Sequence, residues 1–177
     1  MPVGNKGFVG GSYNVGMSES IDKLEDIARE ELAKPRADAV ERRKVFISFK
    51  HTDKNLVDLL RGRAKNDRND LDFIDMSLQV PFNSENAEYI KSGIRERIKQ
   101  SSVTVVVVTD TTHESDWVNW EINESKRLGK GVVVLDRRTT PSSKLPSAIE
   151  EHSDSVKMVT GGDNDLYTAI EEAAQER

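Results

Sequence analysis

Residues 115–122 form an acidic and aromatic segment, Ser-Asp-Trp-Val-Asn-Trp-Glu-Ile, that predicts a helix with a carboxylate on its apolar side. On a helical wheel of about 100° per residue, with Trp117 at zero, Glu121 lies at about 40°. The apolar arc, between about 20° and 140° on the same wheel, contains Val118, Ile122, Ser125 and Leu128. Because an ionised carboxylate is costly to bury, Glu121 should have a partner, face a cleft or bind its proton more tightly. Glu121 is therefore the first candidate for chemistry in this chain.

Two interpretations of Glu121 stay open on the helix pattern alone. In the first, its carboxylate faces a cleft and acts on a ligand. In the second it is structural, because it reaches water past Trp117 or pairs with an arginine such as Arg61 or Arg95. The first interpretation predicts that removing the charge abolishes activity, and the second that it lowers stability.

The other chemistry-bearing residues exclude several kinds of site. The chain has no cysteine, which excludes disulfides, thiolate metal sites and cysteine nucleophiles. Its three histidines, His51, His113 and His152, fall in separate predicted loops, so we expect no metal site. Phosphate-binding loops and zinc-protease motifs do not occur in the sequence.

Charge and hydropathy indicate an acidic globular protein. The 177 residues carry 26 Lys and Arg against 31 Asp and Glu, a formal net charge of −5, with no basic stripe of the kind that nucleic acid requires. The longest apolar runs, residues 105–108 and 132–135, are too short to span a membrane. Residues 1–16 lack the apolar core of a secretory signal. We therefore expect a cytoplasmic protein with no nucleic-acid or membrane partner.

Apolar strands that alternate with amphipathic helices should position Glu121. The predicted strands are residues 45–49, 71–76, 103–108, 132–135 and 156–159. The first intervening helix carries Leu56, Leu59 and Leu60, and the second begins at Ser84 as its N-cap. Strands that are apolar throughout predict a parallel sheet covered on both faces, and right-handed crossovers make it a flavodoxin-like, doubly wound α/β sheet of four or five strands. Sites in such folds lie in the loops at the carboxyl ends of the strands.

The amino-terminal part of the chain has a different composition from the rest. Five of the eleven glycines fall within the first sixteen residues, which predicts a flexible tail over residues 1–17. An amphipathic helix then begins at Ser18 and stops at Pro35, within a helix-and-linker region of residues 18–43. We place the α/β domain at residues 44–177.

Three motifs in this domain resemble those of Toll/interleukin-1 receptor (TIR) domains. The strand Lys-Val-Phe-Ile-Ser-Phe at residues 44–49, followed by His51 and Asp53, resembles the first TIR box. The segment around Trp117 and Glu121 is similar to the S-x-W-x-x-x-E-[LI] helix of the family, and the turn and strand of residues 129–135 follow in the expected order. The basic-acidic Pro-Gly box and the Phe-Trp box of receptor TIR domains are absent. The chain therefore resembles the prokaryotic TIR-like group, which includes proteins of Thoeris-type antiphage systems that make cyclic ADP-ribose signals from NAD.

The resemblance implies a TIR-like enzyme that cleaves the nicotinamide–ribose bond of NAD and cyclises ADP-ribose into a signalling nucleotide for antiphage immunity. Glu121 would be the catalytic carboxylate. The expected contacts with NAD, which is a substrate and not a bound cofactor, are Ser48, Phe49, Ser77 and Trp117. A downstream effector protein and a homo-oligomer are the partners that this function would involve.

Two other functions fit the same fold class. A non-catalytic TIR assembly module would use its loops and helices as partner surfaces. A phosphoacceptor receiver domain shares the flavodoxin-like order, but it needs an acidic pair after the first strand, where this chain has Phe49, Lys50 and His51.

Overall fold

The computed structural model describes residues 42–66, 71–74, 81–140 and 142–176. The predicted tail and the predicted amino-terminal helix, which end before Arg42, lie outside the described residues, and so does Ser77. The proposed domain boundaries therefore stay predictions.

Within the described residues, five strands form one parallel sheet in the order β2-β1-β3-β4-β5. The strands are β1 (Arg43–Phe49), β2 (Leu71–Ile74), β3 (Val103–Val108), β4 (Gly131–Asp136) and β5 (Val156–Val159). The helices are α1 (Lys54–Asn66), α2 (Ala87–Gln100), α3 (Asp116–Arg127), α4 (Ser147–Glu151) and α5 (Asp163–Gln175). This confirms the predicted doubly wound α/β sheet, with β1 between β2 and β3.

Both faces of the sheet are covered, so β3 and β4 carry mostly apolar residues on both faces. One face packs against α1 and α5 through Ile47, Val105, Val133, Leu166 and Ile170. The opposite face, here called the α3 face, packs against α2, α3 and α4 through Phe46, Val106, Ile94, Val118, Ile122 and Ile149. Because successive strand residues point to opposite faces, Phe46 and Ser48 share the α3 face. Phe49 packs in the cluster of the α1 and α5 side.

Local details differ from the sequence prediction at three places. The buried side of α1 is formed by Val57, Leu60 and Ala64, and Leu59 is 51% exposed. Ser84 is not an N-cap, because α2 begins at Ala87 after a turn whose hydrogen bond runs from the Ala87 amide to the Ser84 carbonyl at 3.0 Å. The five-residue helix α4 was not predicted, since it is too short to show a helical period.

No helix within the described ranges is both long enough and apolar enough to cross a membrane.

Two glycines provide a test of this packing with effects of opposite sign. A Cβ added at Gly131, the first residue of β4, would lie within 3.0 Å of three atoms of Ala173 in α5, two of them backbone. A Cβ added at Gly62, which is exposed in α1, meets nothing within 4 Å. We expect Gly131→Ala to lower the melting temperature by on the order of 5 °C through overpacking, and Gly62→Ala to raise it slightly through helix propensity. Thermal melts of both variants check this, and a neutral Gly131→Ala would contradict the close approach of α5 to β4.

Candidate active site

Glu121 lies in the second turn of α3, on the side of the helix that packs against the sheet. The helix begins after Ser115, whose Oγ accepts a hydrogen bond from the Val118 amide at 3.3 Å. Val118 and Ile122 are fully buried, and Glu121 between them is only 5% exposed. The structure thus confirms the prediction from the helical wheel that the Glu121 side chain lies on the buried side of the helix.

The carboxylate of Glu121 accepts a hydrogen bond from the hydroxyl of Ser48. The distance from Ser48 Oγ to Glu121 Oε2 is 2.5 Å, and Ser48 is 1% exposed. Hydrogen bonds from a hydroxyl to an ionised carboxylate are short and about twice as strong as neutral ones. This contact joins α3 to β1 close to the carboxyl end of the strand, where sites of doubly wound folds occur.

A second polar contact holds the backbone of the same helix turn. Ser125 Oγ donates to the carbonyl oxygen of Glu121 at 2.7 Å and lies 2.7 Å from Thr104 Oγ1 of β3. Because Ser125 has a single hydroxyl proton, Thr104 is the donor in the second bond. Both Ser125 and Thr104 are fully buried. The two buried contacts, with Ser48 and with Thr104, therefore join α3 to the adjacent strands β1 and β3.

Aromatic rings lie on the same side of the sheet. Trp117, one helical turn before Glu121, meets Phe82 edge-on at 4.8 Å between ring centroids and Trp120 at 6.2 Å. Lys91 Nζ lies 4.4 Å from the Phe82 centroid. Phe82, in the turn before α2, was not predicted, and no local pattern in the sequence distinguishes it from an ordinary loop aromatic residue.

The predicted site residues are therefore only partly brought together. Ser48, Trp117 and Glu121 lie on the α3 face. Phe49, the next residue after Ser48, packs toward α1 and α5 because the strand alternates. The contacts of Ser48, Phe49, Ser77 and Trp117 with a ligand, and the catalytic role of Glu121, stay predictions.

A second glutamate of α3, Glu124, pairs with Arg95, one of the two arginines that the structural interpretation offered as a partner of Glu121. Arg95 Nε lies 2.7 Å from Glu124 Oε1, and Arg127 Nε lies 2.9 Å from Glu124 Oε2. Glu124 is 6% exposed, and the hydrogen bond with Arg127, supported by Arg95, lowers its pKa from 4.5 to about 2. Arg95 thus stabilises Glu124, whereas the neighbouring Glu121 accepts from a hydroxyl.

The loops at the carboxyl edge of the sheet are joined to one another. Lys50 Nζ, after β1, lies 2.7 Å from Glu114 Oε2, after β3. Asp110, after β3, accepts from the Thr139 hydroxyl at 2.6 Å and from the Ser143 hydroxyl at 2.8 Å. These bonds, with that of the Thr139 hydroxyl as the largest cause, hold the pKa of the Asp110 carboxyl well below its usual range. Polar contacts therefore join the loops that follow β1, β3 and β4 at this edge.

Two open hollows lie at the opposite, amino-terminal edge of the sheet. One of about 530 Å³ is bordered by Lys126, Lys130 and Lys157, and one of about 430 Å³ by Arg42 and Lys99 among others. Neither is lined by Ser48 or Glu121. We assign the candidate site to Glu121 because a buried carboxylate that accepts a hydrogen bond from Ser48 is a more specific arrangement than a hollow lined by surface lysines.

Comparison with known proteins gives two matches. The family model described as "Thoeris protein ThsB, TIR-like domain" matches residues 46–142, a range that contains Ser48 and Glu121. Over 50 residues the chain is 40% identical to "Putative cyclic ADP-D-ribose synthase TIR2" of Cytobacillus dafuensis. That match covers 28% of this chain and 13% of the relative, so the chain spans only a small part of that protein's length.

The ion pairs of Glu124 predict a specific dependence of stability on pH. Its pKa is lowered in the folded protein, so its contribution is present above the ordinary value of 4.5 and is lost as the pH falls toward about 2. We expect Glu124→Gln to melt earlier than the parent protein near pH 7, with the difference shrinking as the pH falls from 5 to 3. Glu88→Gln, at an exposed pair with Lys91, is the control and should change little. A difference between Glu124→Gln and the parent that stays constant with pH would show that the Glu124 charge does not stabilise the fold.

Proposed function

The chain belongs to the family of the Thoeris protein ThsB TIR-like domain, which covers residues 46–142 of its 177, and on this basis we propose that it cleaves the nicotinamide–ribose bond of NAD. The observation that carries the proposal is the buried carboxylate of Glu121, which accepts from Ser48 at 2.5 Å on the α3 face. In the S-x-W-x-x-x-E-[LI] motif that residues 115–122 resemble, Glu121 stands at the position of the glutamate that is catalytic in NAD-cleaving TIR proteins.

The reaction needs little beyond such a carboxylate. Nicotinamide leaves as a neutral heterocycle, so its departure requires no general acid. Positive charge develops on the ribose as the carbon–nitrogen bond breaks, as in other glycosidic cleavages. A negative charge fixed in a site that excludes water stabilises this oxocarbenium-like state far more than the same charge in water. Glu121 supplies that charge.

Trp117 is the aromatic residue best placed to contact a base of NAD. It is half-buried, lies one turn from Glu121 on α3 and is held edge-on by Phe82 and Trp120. In the proposed complex its ring stacks on nicotinamide or adenine, while Glu121 binds the ribose.

The proposed product is a cyclised ADP-ribose. Because Glu121 is buried, few water molecules reach the proposed site. The adenine or the second ribose of the same ADP-ribose can then attack the oxocarbenium-like ribose instead of water. The name of the Cytobacillus dafuensis relative, a cyclic ADP-D-ribose synthase, supports this outcome. The cyclic nucleotide would act on a downstream effector protein in antiphage immunity.

One observation favours a competing function. Glu121 is only 5% exposed, so in the described conformation NAD would have to displace covering groups to reach it. A non-catalytic TIR assembly module has no such requirement, and it would bind partners without consuming NAD.

Two glutamates three residues apart on α3 make a matched test. We expect Glu121→Gln, which keeps the shape and removes the charge, to lower nicotinamide release by about 10²–10³-fold with little change in melting temperature. Glu124→Gln should do the reverse, because it disrupts a structural ion pair and leaves the site charge in place. Nicotinamide release and thermal melts on the same preparations check both variants. Full activity of Glu121→Gln would refute the catalytic role, and a parent protein that leaves NAD intact even when concentrated would favour the assembly module.

The identity of the product separates a signal-making enzyme from a simple hydrolase. We expect mass spectrometry of NAD reactions to show a cyclised ADP-ribose, lighter than the linear product by one water, together with nicotinamide. Linear ADP-ribose alone at every protein concentration would instead identify a hydrolase.

A further inference from the structure

Ser48 donates the hydrogen bond that the buried carboxylate of Glu121 accepts. We propose that Ser48 is a positioning residue, whose hydroxyl holds Glu121 in the orientation that meets the ribose and does not itself bind NAD. The proposal rests on the proposed function and adds to it a role for a residue that the sequence predicted to contact NAD directly.

The geometry commits the hydroxyl proton of Ser48 to Glu121. A serine has one hydroxyl proton, and here it points to Glu121 Oε2 at 2.5 Å. The two residues are 1% and 5% exposed, so the bond forms away from bulk water. A carboxylate offers about four acceptor sites, so it can keep the Ser48 bond while it accepts a ribose hydroxyl.

The strand makes this donor rigid. Ser48 lies in β1, which has β2 on one side and β3 on the other, and it is paired with Val106 of β3. Its position is therefore set by the sheet and not by a loop, as positioning groups require.

The two polar contacts have nearly the same spacing along α3 as along the strands of the sheet. Glu121 and Ser125 are four residues apart on α3, a rise of about 6 Å. Ser48, the partner of Glu121, lies level with Val106 of β3. Thr104, the partner of Ser125, lies two residues before Val106, so the two partners are separated by about 6.6 Å along the strands. The order is reversed, as expected for a helix that runs antiparallel to the strands. The two contacts thus fix both the side chain of Glu121 and the height of its backbone above the sheet.

A hydroxyl suits this task better than a cation. A neutral donor orients a carboxylate without neutralising its charge. Glu124, three residues further along α3, is instead held by the guanidinium groups of Arg95 and Arg127. The same helix thus carries one glutamate that accepts from the Ser48 hydroxyl and one that pairs with two guanidinium groups.

The kinetic test compares two buried serines. We expect Ser48→Ala to lower kcat by about 10–100-fold, as for loss of one hydrogen bond to a charged group, and to change KM less than about threefold. Ser48→Thr, which restores the hydroxyl, should recover part of the lost kcat. The control is Ser101→Ala, because Ser101 is 3% exposed and its hydroxyl bonds the Ile98 carbonyl at 2.8 Å, away from Glu121. Ser101→Ala should leave kcat and KM at the parent values below its melting temperature.

The outcomes separate this proposal from the proposed function. If Glu121→Gln is inactive while Ser48→Ala keeps the parent kcat, positioning by Ser48 is wrong and the catalytic role of Glu121 stands. If Ser48→Ala raises KM at unchanged kcat, Ser48 contacts NAD and the proposal is overturned.

A stability cycle tests the contact without any enzymatic activity. We expect Ser48→Ala to destabilise the parent protein and to have a smaller effect in a Glu121→Met background, where the buried carboxylate that needs the donor is gone. Urea unfolding of the parent, both single variants and the double variant measures this coupling. Additive effects would show that Ser48 and Glu121 do not interact and would overturn the proposal even if NAD is never cleaved.

Discussion

A carboxylate buried between a helix and an apolar sheet is the constraint on which the site depends. Glu121 lies between Val118 and Ile122, two residues that anchor α3 to the sheet, so the helix cannot turn it toward water without losing that packing. Ser48, which lies on the sheet, donates a hydrogen bond to this carboxylate. The strand order places β1 beside β3, and this allows α3, the helix after β3, to lie over both strands.

The same helix shows how two acidic residues with similar burial are given different surroundings. Glu124 is held by guanidinium groups from α2 and α3, and this joins the two helices above the aromatic cluster of Trp117 and Trp120. Glu121 accepts a hydrogen bond from the Ser48 hydroxyl, and Val118 and Ile122 beside it on the helix are fully buried. The ion pair of Glu124 joins α2 to α3, whereas the hydrogen bond of Glu121 joins α3 to β1.

The sequence predicted the parts of this arrangement that depend on local pattern. Continuous β-branched runs identified β3 and β4, and helical periodicity placed Glu121 inward. The sequence could not identify the hydrogen bond between Ser48 and Glu121. Whether these two side chains come into contact depends on the position of α3 along the strands, which no local pattern determines. The pairing of Arg95 with Glu124 was missed for the same reason, as it depends on the approach of α2 to α3. On α1, three leucines suggested an apolar side, but the helix turns Val57 and Ala64 inward and leaves Leu59 exposed.

The most direct test of the account is a crystal structure of the protein with a non-cleavable NAD analogue. The account predicts that the hydroxyls of the nicotinamide ribose lie within about 3 Å of the Glu121 carboxylate, at hydrogen-bond distance. It also predicts that Ser48 still donates to Glu121 in this complex and that Trp117 lies beside a base. An analogue bound instead at the amino-terminal edge of the sheet, with Glu121 still covered, would contradict it.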